Sequence, residues 1–153
     1  MKKWLGLAMF FGLVLGLSGM AMAGDTATVD VSANVVGTCK FLTGGTMAFG
    51  ALDPSSGGNV NAVLTQPTFW CTKGASYSIT DDNGLYESGT AFQVKHVSLT
   101  EYIPYTFTYT ATGTGNGPSN PITMDIAGTI LGGDYVGASA GDYADTVTLT
   151  ITP

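Results

Sequence analysis

The sequence contains no arginine and only five lysines, against eleven acidic residues. A chain with this charge balance lacks the basic surface that neutralises phosphate groups, which excludes nucleic acid and anionic lipid headgroups as partners. Charged residues make up only 10% of the chain, whereas glycine, threonine and serine are abundant. Because valine, isoleucine, tyrosine and phenylalanine are plentiful too, the composition is typical of an extracellular β-protein and not of a disordered chain.

The groups that catalyse reactions are scarce as well. His96 is the only histidine, so a Ser-His-Asp site or a metal centre has little support. Most acidic residues lie in predicted turns, which is where solvated aspartates are common. Cys39 and Cys71 are the only cysteines, and in an oxidising compartment such a pair most simply forms one disulfide. We therefore expect no enzyme, no metal and no cofactor.

The only long apolar run lies at the N-terminus. Lys2 and Lys3 precede an apolar stretch at residues 4–17, and Ala21-Met22-Ala23 supplies small residues where a signal peptidase cleaves. This pattern predicts a secretory signal peptide over residues 1–23. The alternative is a membrane anchor, but a spanning helix needs about 20 apolar residues. We expect export to the periplasm and no membrane span in the mature chain.

Helix signals are nearly absent after residue 23. Runs rich in threonine, valine, tyrosine and phenylalanine alternate with clusters of glycine, asparagine, aspartate, serine and proline, which is the pattern of a β-sandwich or barrel. The predicted strands cover residues 38–49, 68–72, 76–80, 92–99, 102–110, 122–130 and 144–152. Asn83-Gly84 predicts a hairpin turn, and His96, within an alternating strand, is predicted to be a half-exposed structural residue.

The segment before Cys39 has a period of two. Threonine, aspartate, serine and asparagine occupy one side, and the apolar side carries Ala27, Val29, Val31, Ala33 and Val35. This period indicates a β-strand with one buried face. The pattern alone leaves two interpretations open. The strand enters the core of its own sandwich, or it enters the core of a neighbouring molecule.

Four features together resemble a known family: the alternating segment before Cys39, FGALDP at residues 49–54, TFWCT at residues 68–72, and AGDYADTVTLTITP at residues 140–153. The closing motif is the most distinctive of them. On these features the chain after residue 23 resembles the spore coat protein U domain, the pilin domain of archaic chaperone–usher pili.

The resemblance implies an all-β fold, namely an incomplete immunoglobulin-like β-sandwich that is completed by donor-strand exchange. It divides the chain into a signal peptide (residues 1–23), an N-terminal donor-strand extension (residues 24–37) and a pilin body (residues 38–153). In this family a periplasmic chaperone lends a strand first, and at the outer-membrane usher the extension of another subunit replaces it.

For this chain the resemblance implies a structural subunit of a surface fibre, a homopolymer of copies joined head to tail. The donor side chains would be Ala27, Val29, Val31, Ala33 and Val35, and the expected location is a pilus or fimbrium at the cell surface, with a role in adhesion and biofilm formation. The alternative function is a free secreted β-sandwich or a tip adhesin, which would bind glycans or surfaces.

Overall fold

The structure is a computed structural model that describes residues 24–153. The predicted signal peptide, residues 1–23, lies outside the described residues. The chain divides into two units, Met1–Ala33 and Asn34–Pro153. In the first unit, residues 24–33 form neither strand nor helix, and their side chains are exposed. All the strands described below belong to the second unit.

The second unit contains thirteen short strands and one helical turn among the described residues. The first six are β1 (Cys39–Thr43), β2 (Thr46–Ala48), β3 (Val60–Asn61), β4 (Val63–Thr65), β5 (Thr68–Cys71) and β6 (Ser76–Asp81). They are followed by β7 (Phe92–His96), β8 (Tyr102–Tyr109), β9 (Thr112–Thr114), β10 (Ile122–Thr123), β11 (Ile126–Ile130), the helical turn α1 (Gly132–Tyr135), β12 (Tyr143–Ala144) and β13 (Leu149–Thr152).

The strands form four antiparallel sheets. Their strand orders are β1-β5-β10, β12-β7-β8-β11-β3, β13-β6-β9 and β2-β4. Alternation along the strands turns one face of each inward, as in β6, where Tyr77 and Ile79 are buried and their neighbours are exposed or half-buried. The structure confirms the all-β class expected from the sequence.

The first core cluster lies between facing sheets. Phe69 of β5 packs edge-on against Tyr77 of β6, with 4.9 Å between ring centroids. Met124, between β10 and β11, and Ile126, the first residue of β11, belong to the same cluster, and both are almost fully buried. Side chains from different sheets therefore meet across one apolar layer, which is the arrangement of an immunoglobulin-like sandwich.

The second core cluster lies under the five-stranded sheet. Ile103 and Tyr105 of β8 and Ile130 of β11 are buried there together with Tyr135 of α1. The Tyr135 hydroxyl donates a hydrogen bond to the carbonyl oxygen of Gly58 at 2.7 Å. Because this bond satisfies the only polar atom of the ring, α1 can close one end of the core without burying an unpaired hydroxyl.

Cys39 and Cys71 form a disulfide, as the sequence predicts. The two residues are direct partners in the antiparallel pairing of β1 with β5. The bond therefore joins the start of the second unit to a strand that contributes Phe69 to the first core cluster.

Replacing both cysteines by alanine is expected to lower the free energy of unfolding by about 3–4 kcal/mol. The bond closes a loop with a sequence separation of 32 residues, and the chain-entropy model assigns about that much to such a loop. Denaturant titration of the mature chain measures the loss, and reduction of the wild-type chain serves as the matched control. A loss below about 1 kcal/mol in both samples would contradict the prediction.

Several predicted strands are divided in the structure. The strand predicted over residues 38–49 becomes β1 and β2, separated by Gly44-Gly45. The strand predicted over residues 144–152 becomes β12 and β13, and residues 145–148 between them belong to no strand. Strands β3, β4 and β9 are not predicted, because each is only two or three residues long and carries no clear alternation.

The predicted hairpin at Asn83-Gly84 is wrong. Both residues have the positive φ angles of such a turn, 62° and 79°. However, β6 before the turn and β7 after it belong to different sheets. The local signal therefore describes the backbone of the turn correctly, whereas the partner of each strand is decided by packing in the rest of the molecule.

Candidate functional site

An apolar groove with a volume of about 980 Å³ opens on the second unit. Its two walls are residues 45–52 and residues 138–149. The floor between them is formed by side chains from β7, β8, β11 and α1: Val94, Ile103, Tyr105, Phe107, Ile126, Ile130 and Tyr135. Most of the second core cluster therefore lines this groove, although its side chains are almost fully buried.

One wall of the groove is an unpaired strand edge. The Thr148 amide donates to the Asp82 carboxylate at 2.9 Å, and the Thr148 carbonyl accepts from the Asp82 amide at 3.1 Å. Both backbone groups of Thr148 thus face β6. Because these groups alternate in direction along an extended strand, those of Val147 and Leu149 face the opposite edge, which has no strand partner among residues 24–153.

The other wall contains β2, which pairs only with β4 in the part of the chain that the structure describes. Met47 and Phe49 are half-buried and turn toward the floor. The Phe49 ring lies 5.8 Å from the Tyr105 ring, measured between centroids. The groove is therefore bordered by two sheet edges and lined by apolar side chains, which is what an added β-strand requires.

Two tyrosines beneath the wall of residues 145–149 bind carboxylates. The Tyr105 hydroxyl donates to Asp145 at 2.6 Å, and the Tyr109 hydroxyl donates to Asp81 at 2.6 Å. Burial raises the pKa of Tyr105, and the hydrogen bond to Asp145 raises it further. Burial and the bond to Asp81 raise the pKa of Tyr109 to about 12. Both hydroxyls therefore remain donors at every physiological pH.

The predicted donor residues lie outside every strand among the described residues. The side chains of Val29, Val31 and Val35 are 83%, 90% and 81% exposed, and Ala27 and Ala33 are exposed as well. A soluble protein rarely exposes a regular apolar face of this kind without a partner for it. The segment has the alternation of a buried strand, but the structure buries none of its apolar side chains.

His96 is buried, with 6% of its surface exposed, so the prediction of a half-exposed residue is wrong. Its Nδ1 accepts hydrogen bonds from the amides of Ser98 and Leu99 at 3.0 and 3.1 Å. Nε2 then carries the proton and donates to the carbonyl oxygen of Ala140 at 3.3 Å. The ring thus holds the β7–β8 turn, and all of its hydrogen-bonding capacity is used structurally.

Residues 137–141 read Gly-Ala-Ser-Ala-Gly, which is the Gly-x-Ser-x-Gly spacing of a nucleophile elbow in serine hydrolases. Such an elbow places its serine between a strand and a following helix. Here Ser139 lies in a loop between α1 and β12, and both nitrogens of the nearby His96 are bonded to backbone groups. His96 therefore has no free ring nitrogen with which to accept a proton from the Ser139 hydroxyl.

Other candidate sites among residues 24–153 are weaker. The part of the chain that the structure describes holds no group of three or more potential metal ligands. Within the same part, no helix has the length and hydropathy that crossing a membrane demands. The Tyr86 and Tyr102 rings lie 6.1 Å apart on the surface, and the Lys95 ammonium lies 5.3 Å from the Tyr86 centroid.

Part of this site can be predicted from the sequence. Apolar residues alternate with threonines in β8 and β13, which indicates that one face of each strand is buried, and the motif FGALDP contains Phe49 and Leu52 of the first wall. The roles of Asp82 and Asp145 cannot be predicted, because nothing in the local pattern distinguishes them from solvated turn residues. Their partners are distant in sequence.

Comparison with known proteins gives a family match and structural similarities to solved chains. Residues 25–150 match the sequence model of the spore coat protein U domain. No curated protein matches the chain significantly in sequence. A solved structure with a similar chain is the CsuC–CsuE chaperone–tip adhesion subunit pre-assembly complex from archaic chaperone–usher Csu pili of Acinetobacter baumannii. The identity is 20% and the TM-score 0.46, and the similarity covers 76% of this chain but only 40% of the other.

Proposed function

Because the chain belongs to the spore coat protein U domain family, we propose that it is a structural subunit of a chaperone–usher pilus. Each subunit inserts residues 27–35 into the apolar groove of the next subunit. The observation that carries this proposal is the pairing of two features in one chain. One is a groove between two strand edges, and the other is a segment with an exposed, alternating apolar face.

The two features match in period. Residues 27–35 form a stretch of nine residues with apolar side chains at every second position. In the wall of residues 138–149, the residues at alternate positions from Tyr143 to Leu149 are half-buried. A strand laid along this edge places its apolar side chains on the floor and its polar side chains, including Asp30, in water.

The energy of insertion is large enough to hold a fibre together. Burying the side chains of two alanines and three valines stabilises the contact by about 5–8 kcal/mol in area terms. Each main-chain hydrogen bond formed with the edges adds about 0.5–1.5 kcal/mol. Since every subunit has one donor segment and one groove, the contact is heterologous and extends into a filament and not into a closed pair.

The same features explain the partners that we propose. Half-buried apolar side chains along the groove and unpaired backbone groups at its edges are costly to leave in water, so the subunit needs a periplasmic chaperone that lends a strand until an outer-membrane usher exchanges it for the next subunit. A signal peptide over residues 1–23 and the disulfide between Cys39 and Cys71 fit this route. The fibre would then act at the cell surface in adhesion and biofilm formation, without an enzymatic reaction.

A second candidate function is a glycan-binding module. Its support is the pair formed by the half-buried Tyr86 and the exposed Tyr102, with the Lys95 ammonium beside Tyr86, because aromatic faces bind the apolar faces of sugars. In this function the groove would not bind a strand of another subunit, and the exposed valines would not be buried by one. A monomeric mature chain that binds immobilised glycans, and loses binding when Tyr102 is replaced by alanine, would favour it.

Gel electrophoresis of surface material from the producing cells tests the proposed function. Without boiling, we expect a ladder of species at multiples of the subunit mass, because strand-inserted contacts resist detergent. Boiling should collapse the ladder to one band, and electron micrographs of the same material should show filaments. A single monomeric band without boiling, with no filaments, would contradict the proposal.

A further inference from the structure

Residues 145–148 form the middle of the groove wall, yet they belong to no strand. They lie between β12, which pairs with β7, and β13, which pairs with β6. The two neighbouring strands thus belong to different sheets, and the backbone between them is not held by a continuous ladder of hydrogen bonds. Carboxylates hold this stretch in place instead.

Asp82 forms the first of these contacts. Its Oδ1 accepts hydrogen bonds from the amide of Thr148 at 2.9 Å and from the amide of Gly84 at 3.0 Å. These bonds, with the Thr148 amide as the largest cause, lower the pKa of Asp82 below its ordinary value of 3.8. One carboxylate therefore fixes both the loop after β6 and the backbone of the groove wall.

Asp145 forms the second contact, from the wall itself. Its Oδ1 accepts from the amide of Leu85 at 2.9 Å, and its Oδ2 accepts from the Tyr105 hydroxyl at 2.6 Å. Tyr105 is 7% exposed and lies in the groove floor. Asp145 therefore ties the wall to the floor on one side and to the loop of Asp82 on the other.

We propose that Asp82 and Asp145 are positioning residues for strand insertion, an inference that rests on the proposed function. Together they hold residues 145–148 extended, so that the backbone groups of Val147 point to the free edge and stay available to a donor strand. Without these two carboxylates, the backbone of residues 145–148 is free to adopt conformations other than the extended one. An incoming strand must then order it during insertion, at an entropic cost.

The test measures strand capture by the mature chain carrying Val31→Asp, which removes its own ability to donate. The probe is a fluorescein-labelled synthetic peptide of residues 24–36, and fluorescence anisotropy gives the association rate. Asp82→Ala and Asp145→Ala should each slow capture at least tenfold relative to this parent. Asp125→Ala is the matched control, because the Asp125 side chain is exposed and makes none of these contacts, and it should capture peptide at the parental rate.

Asparagine variants separate positioning from a general loss of folding. Asp82→Asn removes the charge but keeps the one oxygen that accepts from the Thr148 and Gly84 amides. Asp145→Asn keeps an oxygen for the Leu85 amide, and its NH2 group can donate to the Tyr105 hydroxyl oxygen in place of the bond that Tyr105 donates. Capture should therefore return to within about threefold of the parent. A folded asparagine variant that forms these hydrogen bonds but does not capture the peptide would show that the bonds do not position residues 145–148 for strand insertion.

The pH profile of capture provides a second readout. The parent should capture the peptide more slowly, by up to about the threefold that Asp82→Asn costs, as the pH falls below 3.8, the ordinary pKa of Asp82. Because the pKa of Asp82 is lowered in the folded chain, its ionised, bonded form is fully present above that value and is lost as the pH falls through the lowered pKa. Capture by Asp82→Asn should not slow over this pH range, because residue 82 then has no carboxylate to protonate. If Asp82 has no positioning role, the parent and Asp82→Asn should show the same pH profile of capture.

The outcomes distinguish the two proposals. If the parent does not capture the peptide at all, the proposed function fails, and this inference fails with it. If the parent captures the peptide and both alanine variants capture it at the parental rate, only the positioning role is overturned. If circular dichroism shows that the alanine variants are unfolded, the test rests on the asparagine variants. Their failure to capture while folded would also overturn the positioning role.

Discussion

Replacing Val31 by aspartate is expected to abolish fibre formation and leave the body of the subunit intact. Val31 is the central residue of the proposed donor face, and its side chain is 90% exposed in the described chain. The substitution therefore costs the free subunit almost nothing. In an inserted strand, however, the carboxylate would lie against an apolar floor without a partner, which costs at least several kcal/mol and offsets most of the burial energy.

The matched control for this variant is Ser32→Asp. It adds the same charge one position further along, on the side of the strand that stays in water, so fibres should form at close to the wild-type level. Unboiled gels and electron micrographs of both variants provide the readout, and circular dichroism checks that both are folded. Wild-type ladders from Val31→Asp would refute donation by this face.

Moving the donor segment behind Pro153 is expected to give a stable monomer that does not polymerise. Residues 24–35 would be transferred from the N-terminus and joined through a turn of about four residues. Because β13 ends at Thr152, a strand that follows this turn runs antiparallel along the free edge of Val147 and Leu149. The groove of each molecule is then filled by its own chain.

The expected gain in stability follows from the same burial. About 5–8 kcal/mol of apolar burial should raise the melting temperature by more than about 15 °C for a domain of this size. Size-exclusion chromatography should give one monomeric species. The control carries Val31→Asp in the transferred segment. Its melting temperature should not rise, and it should not elute as a single monomeric species. Equal melting temperatures for the two fusions would show that the groove does not bind this segment.

The sequence predicts the strands that alternate most regularly, and it predicts them well. β5, β6 and β8 lie within two residues of their predicted bounds, because buried and exposed side chains alternate there without interruption. The disulfide is also predicted, since only two cysteines are present. Short strands such as β3 and β9 are not, because two or three residues are stabilised by their neighbours and not by a local pattern.

The groove could be predicted only in part. Phe107 and Leu149 are recognised as core residues from their alternation, but the sequence does not reveal that one side of this core is open. That property depends on which strands pair, and strand pairing joins residues far apart in the chain. The same reason hides the contact of Asp145 with Tyr105, which are separated by forty residues.

A density map of the fibre formed by the mature chain tests the central claim most directly. The account predicts that the wall formed by residues 45–52 and the wall formed by residues 138–149 of each subunit are joined by a strand whose side chains fit Ala27 to Val35 of the adjacent subunit. Continuous density that leads this strand back into the subunit from which it starts would contradict it.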